Sequence, residues 1–150
     1  MTKFNPVYSV RKALLSDIMF FYESIKSTGD LTLNVNEFDL IFKTKLKLKN
    51  NHLLVLLDQQ GCSAGCAITE YRTTLTESFP FWEIQLFYIH PKYRKYFAAE
   101  ALYKEIEALA TVKKCIKIVV SSLLNATINQ RFYTKRGFKL FKKTYLKTVV

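Results

Sequence analysis

The chain has 150 residues, 49% hydrophobic and 23% charged, which fits one soluble globular domain and excludes a disordered chain. Its longest aliphatic run, Leu53–Leu57, is far too short for a membrane span, and Met1–Pro6 lacks the apolar stretch of a secretory signal. The net charge is +11: residues 1–89 hold nine basic and nine acidic side chains, and residues 90–150 hold fourteen and three, which implies a polyanion near the C-terminal part.

Tyr8–Lys12 reads as a first strand. Ser16-Asp17 then caps a helix whose apolar positions Leu14, Ile18, Phe21, Tyr22 and Ile25 share one face, and Gly29-Asp30 ends it. Asn36 caps a second helix containing Phe38, Ile41 and Phe42; the alternating Lys45–Lys49 suits its end or an extended segment equally. His52–Asp58 is a strand buried on both faces, and Gln59-Gln60-Gly61 a turn. Cys62–Arg72 is the next strand, where Gly65 marks a bulge or a close backbone approach. After the polar loop Thr73–Pro80, Phe81–His90 forms a strand that Pro91 ends. Ala98–Thr111 is a helix with Ala99, Leu102, Ile106 and Leu109 inward. Cys115–Ser121 is a strand rich in β-branched residues, Asn125–Arg136 a helix stopped by Gly137, and Phe138–Val149 one or two last strands. The strand–helix–strand crossover late in this order implies a parallel pair. Cys62, Cys66 and Cys115 match no metal or redox spacing, so they read as ordinary thiols of a reducing, cytoplasmic compartment.

Two stretches carry a resemblance to a known family. One is Glu83–Leu102, with His90-Pro91-Lys92-Tyr93-Arg94 at its centre; the other runs from Asn125 through Phe132-Tyr133-Thr134-Lys135-Arg136-Gly137-Phe138. Their order and separation resemble the GCN5-related N-acetyltransferases (GNAT). The resemblance spans nearly the whole chain. It implies an α/β (α+β) fold with a mixed, mostly antiparallel twisted sheet of six to seven strands and about four helices. The parallel fourth and fifth strands would splay apart, and residues 1–150 would form a single acetyltransferase domain.

The implied cofactor is acetyl-CoA. A loop feeding a helix N-terminus offers free N–H groups and a positive dipole end to a pyrophosphate. Here Arg94, Lys95, Tyr96, Phe97, Ala98 and Ala99 occupy the family's Arg-x-x-Gly-x-Gly/Ala loop. Phe97 replaces the first glycine: a bulky residue held at positive φ costs about 1–2 kcal/mol, and the equal alternative is that Tyr96 and Phe97 cover the sheet, with Phe97 packed into the core. By resemblance, Phe87, Tyr88 and Ile89 offer main-chain groups to pantetheine. Arg136, with Arg131 and Lys135, is placed for the adenosine phosphates, and Asn125 or Asn129 for a hydrogen bond to the cofactor.

Acetyl transfer to an amine moves two protons: the ammonium loses one and the leaving thiolate gains one. Tyr133 stands where family members carry a tyrosine acid, and a phenol with a pKa of about 10 is protonated at neutral pH. Glu83, six residues before Ile89, has the spacing of the glutamate base in histone-acetylating relatives. A strand-end residue reaching solvent is the equal alternative. Period-two alternation puts Glu83, Gln85, Phe87 and Ile89 on one face. Gln85, Tyr71 and Trp82 line the acceptor pocket or belong to the core, and His90 reads as structural.

The resulting expectation is an acetyl-CoA-dependent N-acetyltransferase acting on a primary amine of a small molecule or peptide, with no metal and no membrane partner. An RNA-linked amine such as charged tRNA is the second reading, and a non-enzymatic CoA- or partner-binding module the third. Homodimers are common among relatives, but nothing in the sequence selects an interface.

Overall fold

A computed structural model of the chain describes residues 7–29, 31–121, 127–139 and 145–149. β1 (Ser9–Lys12) leads through a 3-10 turn, Leu15–Asp17, into α1 (Ile18–Ser27) and α2 (Val35–Lys47). β2 (Asn51–Leu57), β3 (Ser63–Arg72) and β4 (Phe81–Ile89) follow, then a 3-10 turn at Pro91–Tyr93 and α3 (Ala98–Val112). β5 (Ile118–Val120) and α4 (Thr127–Lys135) complete the order. The strands form one sheet, β1-β2-β3-β4-β5, antiparallel throughout except for the parallel β4–β5 pair.

The element order is the one expected, with one shortfall. Residues 138–139 and 145–149 form no strand, so the described residues hold five strands rather than six to seven; residues 140–144 lie outside them.

Two apolar layers sandwich the sheet. α1 and α2 cover one face through Phe21, Phe38 and Phe42, which meet Leu53, Val55 and Cys66. α3 and α4 cover the other through Leu102, Ile106 and Tyr133, which meet Leu54, Leu56, Trp82, Ile84 and Phe87. The unbroken run in β2 is thereby explained: alternate residues serve opposite cores, and each buried side chain contributes about 1.5–3 kcal/mol.

Local details depart from the sequence reading. The cap of α2 is Asn34, not Asn36: its Oδ1 accepts the Glu37 N–H at 2.8 Å and its own N–H donates to Glu37 Oε2 at 3.0 Å. On α3 the buried stripe is Ala98, Leu102, Tyr103, Ile106 and Ala110, with Ala99 and Leu109 on its half-buried flanks.

Asp17 does not cap α1 through its side chain. Its carboxylate accepts the Leu14 N–H at 2.7 Å and two bonds from the Arg11 guanidinium, at 2.6 and 3.0 Å. Burial alone pushes this carboxyl up; Arg11 and the Leu14 N–H outweigh it and hold the group below its ordinary value. A lowered native pKa stabilises the fold above the unfolded carboxyl pKa of about 4, and that gain fades as pH falls through the native value. Asp17→Asn is expected to cost about 2 kcal/mol at neutral pH, read from urea denaturation, with the deficit shrinking on acidification.

Candidate functional site

β5 pairs with β4 over Trp82–Ile118, Glu83–Val119 and Ile84–Val120, and the Ser121 N–H donates to Ile84 O at 3.0 Å. Beyond Ile84, no strand among the described residues meets β4 on that side.

A bulge decides what this open stretch presents. Against β3, Thr69 pairs with Ile84 and Ile68 with Leu86, so Gln85 is extra. Such an insertion shifts the ladder by one residue. Before it, the Trp82 N–H reaches Lys117 O, toward β5, at 3.2 Å. After it, the His90 N–H reaches Ala64 O, toward β3, at 2.9 Å. Antiparallel alternation then turns the main-chain groups of Leu86 and Tyr88 to β3 and those of Phe87 and Ile89 to the open side. Of the three residues expected to offer main-chain groups to pantetheine, Phe87 and Ile89 turn theirs to the open side, where Arg94 occupies the Ile89 oxygen, and Tyr88 turns its own to β3.

The same bulge overturns the expected common face. Phe87 and Ile89 pack with the α3/α4 core, whereas Leu86 and Tyr88 pack with the α1/α2 core. Glu83, between Trp82 and Ile84 of the α3/α4 core, faces α1/α2. It is buried and engaged: the Arg72 guanidinium lies 3.2 Å from Oε2 and Gln85 Nε2 donates to Oε1 at 2.8 Å. Gln85 Nε2 also reaches Oε2 of Glu70, which sits opposite Glu83 in register, at 3.0 Å. Sequence reading missed Glu70 and Arg72, although a carboxylate and a guanidinium two residues apart in an apolar strand were the available signal. Trp82 is fully buried in the α3/α4 core, 4.7 Å from His52 between ring centroids, and so does not line an acceptor pocket.

Tyr133 lies beside the open stretch. Its ring packs on Phe87 at 6.1 Å and on Phe138 at 5.2 Å. Its hydroxyl is buried with no hydrogen-bond partner among the described residues, and burial raises its pKa, so it stays protonated throughout the neutral range. A buried donor without an acceptor is a free-energy cost that a ligand atom can relieve.

The turn after β4 is pinned at several points. His90 Nδ1 accepts the Lys92 N–H at 3.2 Å, a structural role as expected, and Arg94 Nε donates to Ile89 O at 3.0 Å. Phe97 sits at φ 60 and ψ 20, the left-handed conformation suited to glycine. It is 67% exposed, so its ring neither fills the core nor repays the strain there. The first bond of α3 runs from the Ala101 N–H to Phe97 O, which leaves the N–H groups of Ala98, Ala99 and Glu100 without helical partners. Arg94, Lys95 and Tyr96 are exposed beside them. Phe97→Gly is expected to stabilise the protein by about 1 kcal/mol in urea denaturation, whereas Phe97→Ala, still strained, is not.

Arg136 is held within the fold. Its guanidinium stacks 3.6 Å from the Phe132 ring centroid, donates to Phe132 O at 3.3 Å and pairs with Glu100 at 3.6 Å. Asn125 and the side chain of Asn129 lie outside the described residues. Among the described residues no cluster of His, Cys, Asp or Glu suits a metal, and no helix is long and apolar enough to cross a membrane.

Residues 49–140 match the family model described as Acetyltransferase (GNAT) domain. No curated protein matches the chain by sequence. Among solved structures, an aminoglycoside N-acetyltransferase, AAC(6')-Iy, in complex with CoA is similar over 99% of each chain, with TM-score 0.79 and 14% identity. A Trypanosoma brucei acetyltransferase is similar over 95% of this chain and 100% of its own, with TM-score 0.73 and 20% identity. A ribosomal-protein-alanine N-acetyltransferase from Brucella melitensis biovar Abortus 2308 is similar over 95% and 100%, with TM-score 0.76 and 15% identity. At these identities the likeness is one of fold.

Proposed function

The chain belongs to the GNAT acetyltransferase domain family, whose acetyl donor is acetyl-CoA, and on that premise we propose that it acetylates a primary amine by direct attack of the amine on the thioester. The observation that carries this reading is the ladder shift at Gln85, which turns the main-chain groups of Phe87 and the N–H of Ile89 to the side where no described strand pairs with β4, beside a buried Tyr133 hydroxyl that has no partner among the described residues.

These residues fit the cofactor. Bound acetyl-CoA supplies the acetyl group as an activated thioester. The main-chain groups of Phe87 and the N–H of Ile89 would hold the pantetheine arm as a further strand, which would give partners to groups that pair with no described strand. The free N–H groups at the start of α3, with Arg94 and Lys95, would hold the pyrophosphate. Tyr133 keeps its proton at neutral pH and would be the group that supplies one to the departing sulfur. Glu83 receives the ammonium proton on the α1/α2 face, and Gln85 fixes its carboxylate. Glu70 and Glu83 together outweigh the single Arg72 charge, which favours a cationic acceptor. The names of two neighbours, for an aminoglycoside and for a ribosomal-protein alanine, accord with an amine acceptor.

Calorimetry with acetyl-CoA, followed by thiol release against a panel of primary amines, tests the proposal. Saturable binding and release that depends on the amine are expected. Absence of binding at millimolar acetyl-CoA overturns the site, and binding without amine-dependent release overturns the reaction.

A further inference from the structure

Tyr93 of the turn after β4 reaches back to the β2–β3 connection. Its hydroxyl donates to Asp58 Oδ2 at 2.6 Å. The other carboxylate oxygen of Asp58 accepts the N–H groups of Gln60 at 2.9 Å and Cys62 at 2.8 Å. The Asp58 N–H closes the same turn onto Cys62 O at 2.8 Å. Asp58 is thus fixed by its own turn between two central strands. Tyr93 in its turn carries the chain that follows: its N–H donates to His90 O at 2.9 Å and its carbonyl accepts the Tyr96 N–H at 3.1 Å. The Tyr8 ring packs edge-on against it at 6.4 Å. The bond from Tyr93 holds the Asp58 carboxyl below its ordinary range, and the same bond raises the Tyr93 phenol to about 12, so the tie keeps one protonation state across neutral pH.

We propose that Asp58 is a positioning residue for the nucleotide end of CoA: through Tyr93 it sets residues 91–97 so that the first N–H groups of α3, together with Arg94, stand ready for the pyrophosphate. The inference rests on the cofactor site proposed above. Its physical basis is preorganisation. The turn holds Phe97 in a strained conformation, and a strained segment persists only where its surroundings fix it. Without the tie, the turn relaxes in the free protein and must be ordered again on binding, which weakens affinity without removing any contact to the ligand.

Tyr93→Phe deletes the tie and keeps the ring; Asp58→Ala deletes the tie and the turn cap; Asp58→Asn keeps the cap on its one oxygen and turns its amide N–H to the Tyr93 hydroxyl, which can accept it. Calorimetry on each compares CoA with pantetheine, which lacks the phosphates. Tyr93→Phe is expected to weaken CoA about tenfold, the scale of one hydrogen bond to a charged group, and to leave pantetheine unchanged. Asp58→Asn is expected to retain most of the CoA affinity, and combining Asp58→Ala with Tyr93→Phe to weaken CoA no further than Asp58→Ala alone. Thermal midpoints establish that each variant is folded. Unchanged CoA affinity in Tyr93→Phe, an equal loss for pantetheine, or additive losses in the double variant would overturn the proposal. Failure of the unsubstituted protein to bind CoA removes the cofactor site itself; CoA binding that is indifferent to Tyr93→Phe removes only the role of Asp58.

Discussion

Tyr133→Phe is expected to lower turnover of whichever amine the protein accepts by about 10²-fold, the lower range for loss of one general acid. The same variant is expected to be as stable as the unsubstituted protein, or more so. The two effects come from one atom. The Tyr133 hydroxyl is buried among Phe87, Phe132 and Phe138 with no partner among the described residues, so none of their contacts rewards it. Deleting a buried, unsatisfied donor removes a desolvation cost. Burial keeps the phenol protonated at neutral pH, and on the mechanism proposed above the variant loses proton donation to the leaving sulfur. Steady-state rates at saturating acetyl-CoA, paired with urea denaturation, check both halves. A variant that keeps its rate, or that loses stability, contradicts the role assigned here.

Gly65→Ala is expected to destabilise the fold by about 2–3 kcal/mol and to weaken CoA binding as well. A Cβ built at Gly65 would stand 2.6 Å from the main-chain oxygen of Tyr88 and 2.8 Å from Ile89 Cδ1. The oxygen belongs to a strand and cannot swing aside as a flexible side chain would. β3 and β4 must therefore move apart beyond Ile84, where no strand among the described residues pairs with β4 on its other side. The cofactor site proposed above uses the main chain of Phe87 and Ile89 on that same stretch, so the displacement would carry into it. Denaturant midpoints report the first effect and calorimetry with CoA the second. Loss of stability with unaltered CoA affinity would show that the cleft does not depend on this approach.

Much of the architecture was legible because it follows from short-range rules. The aliphatic run of β2, the Pro91 stop, the α3 periodicity and the close approach at Gly65 are each written in a few adjacent residues. The cap of α2 was misplaced by two residues because Asn34 and Asn36 are equivalent on composition; only the reciprocal bond with Glu37 distinguishes them. Asp17 has the composition of a helix cap, yet Arg11 from the neighbouring strand claims its carboxylate. The strands expected after Phe138 do not form in residues 145–149, and propensity alone carries no information about a pairing partner.

At the site, the amino-acid sequence by itself determined which residues stand near the end of β4, the electropositive turn that follows, and the tyrosine of the last helix. These follow from the order of elements and from local chemistry. Tertiary structure alone decided how they are used. A strand's alternation is readable only while its ladder is regular, and the extra residue at Gln85 becomes visible only opposite its partner strand. That one insertion moved Phe87 and Ile89 to the face opposite Glu83 and opened their main chain toward the cleft. The Asp58–Tyr93 bond and the Glu70–Gln85 contact were hidden for the same reason: each joins residues distant in the chain, and the distance between them exists only once the sheet has formed.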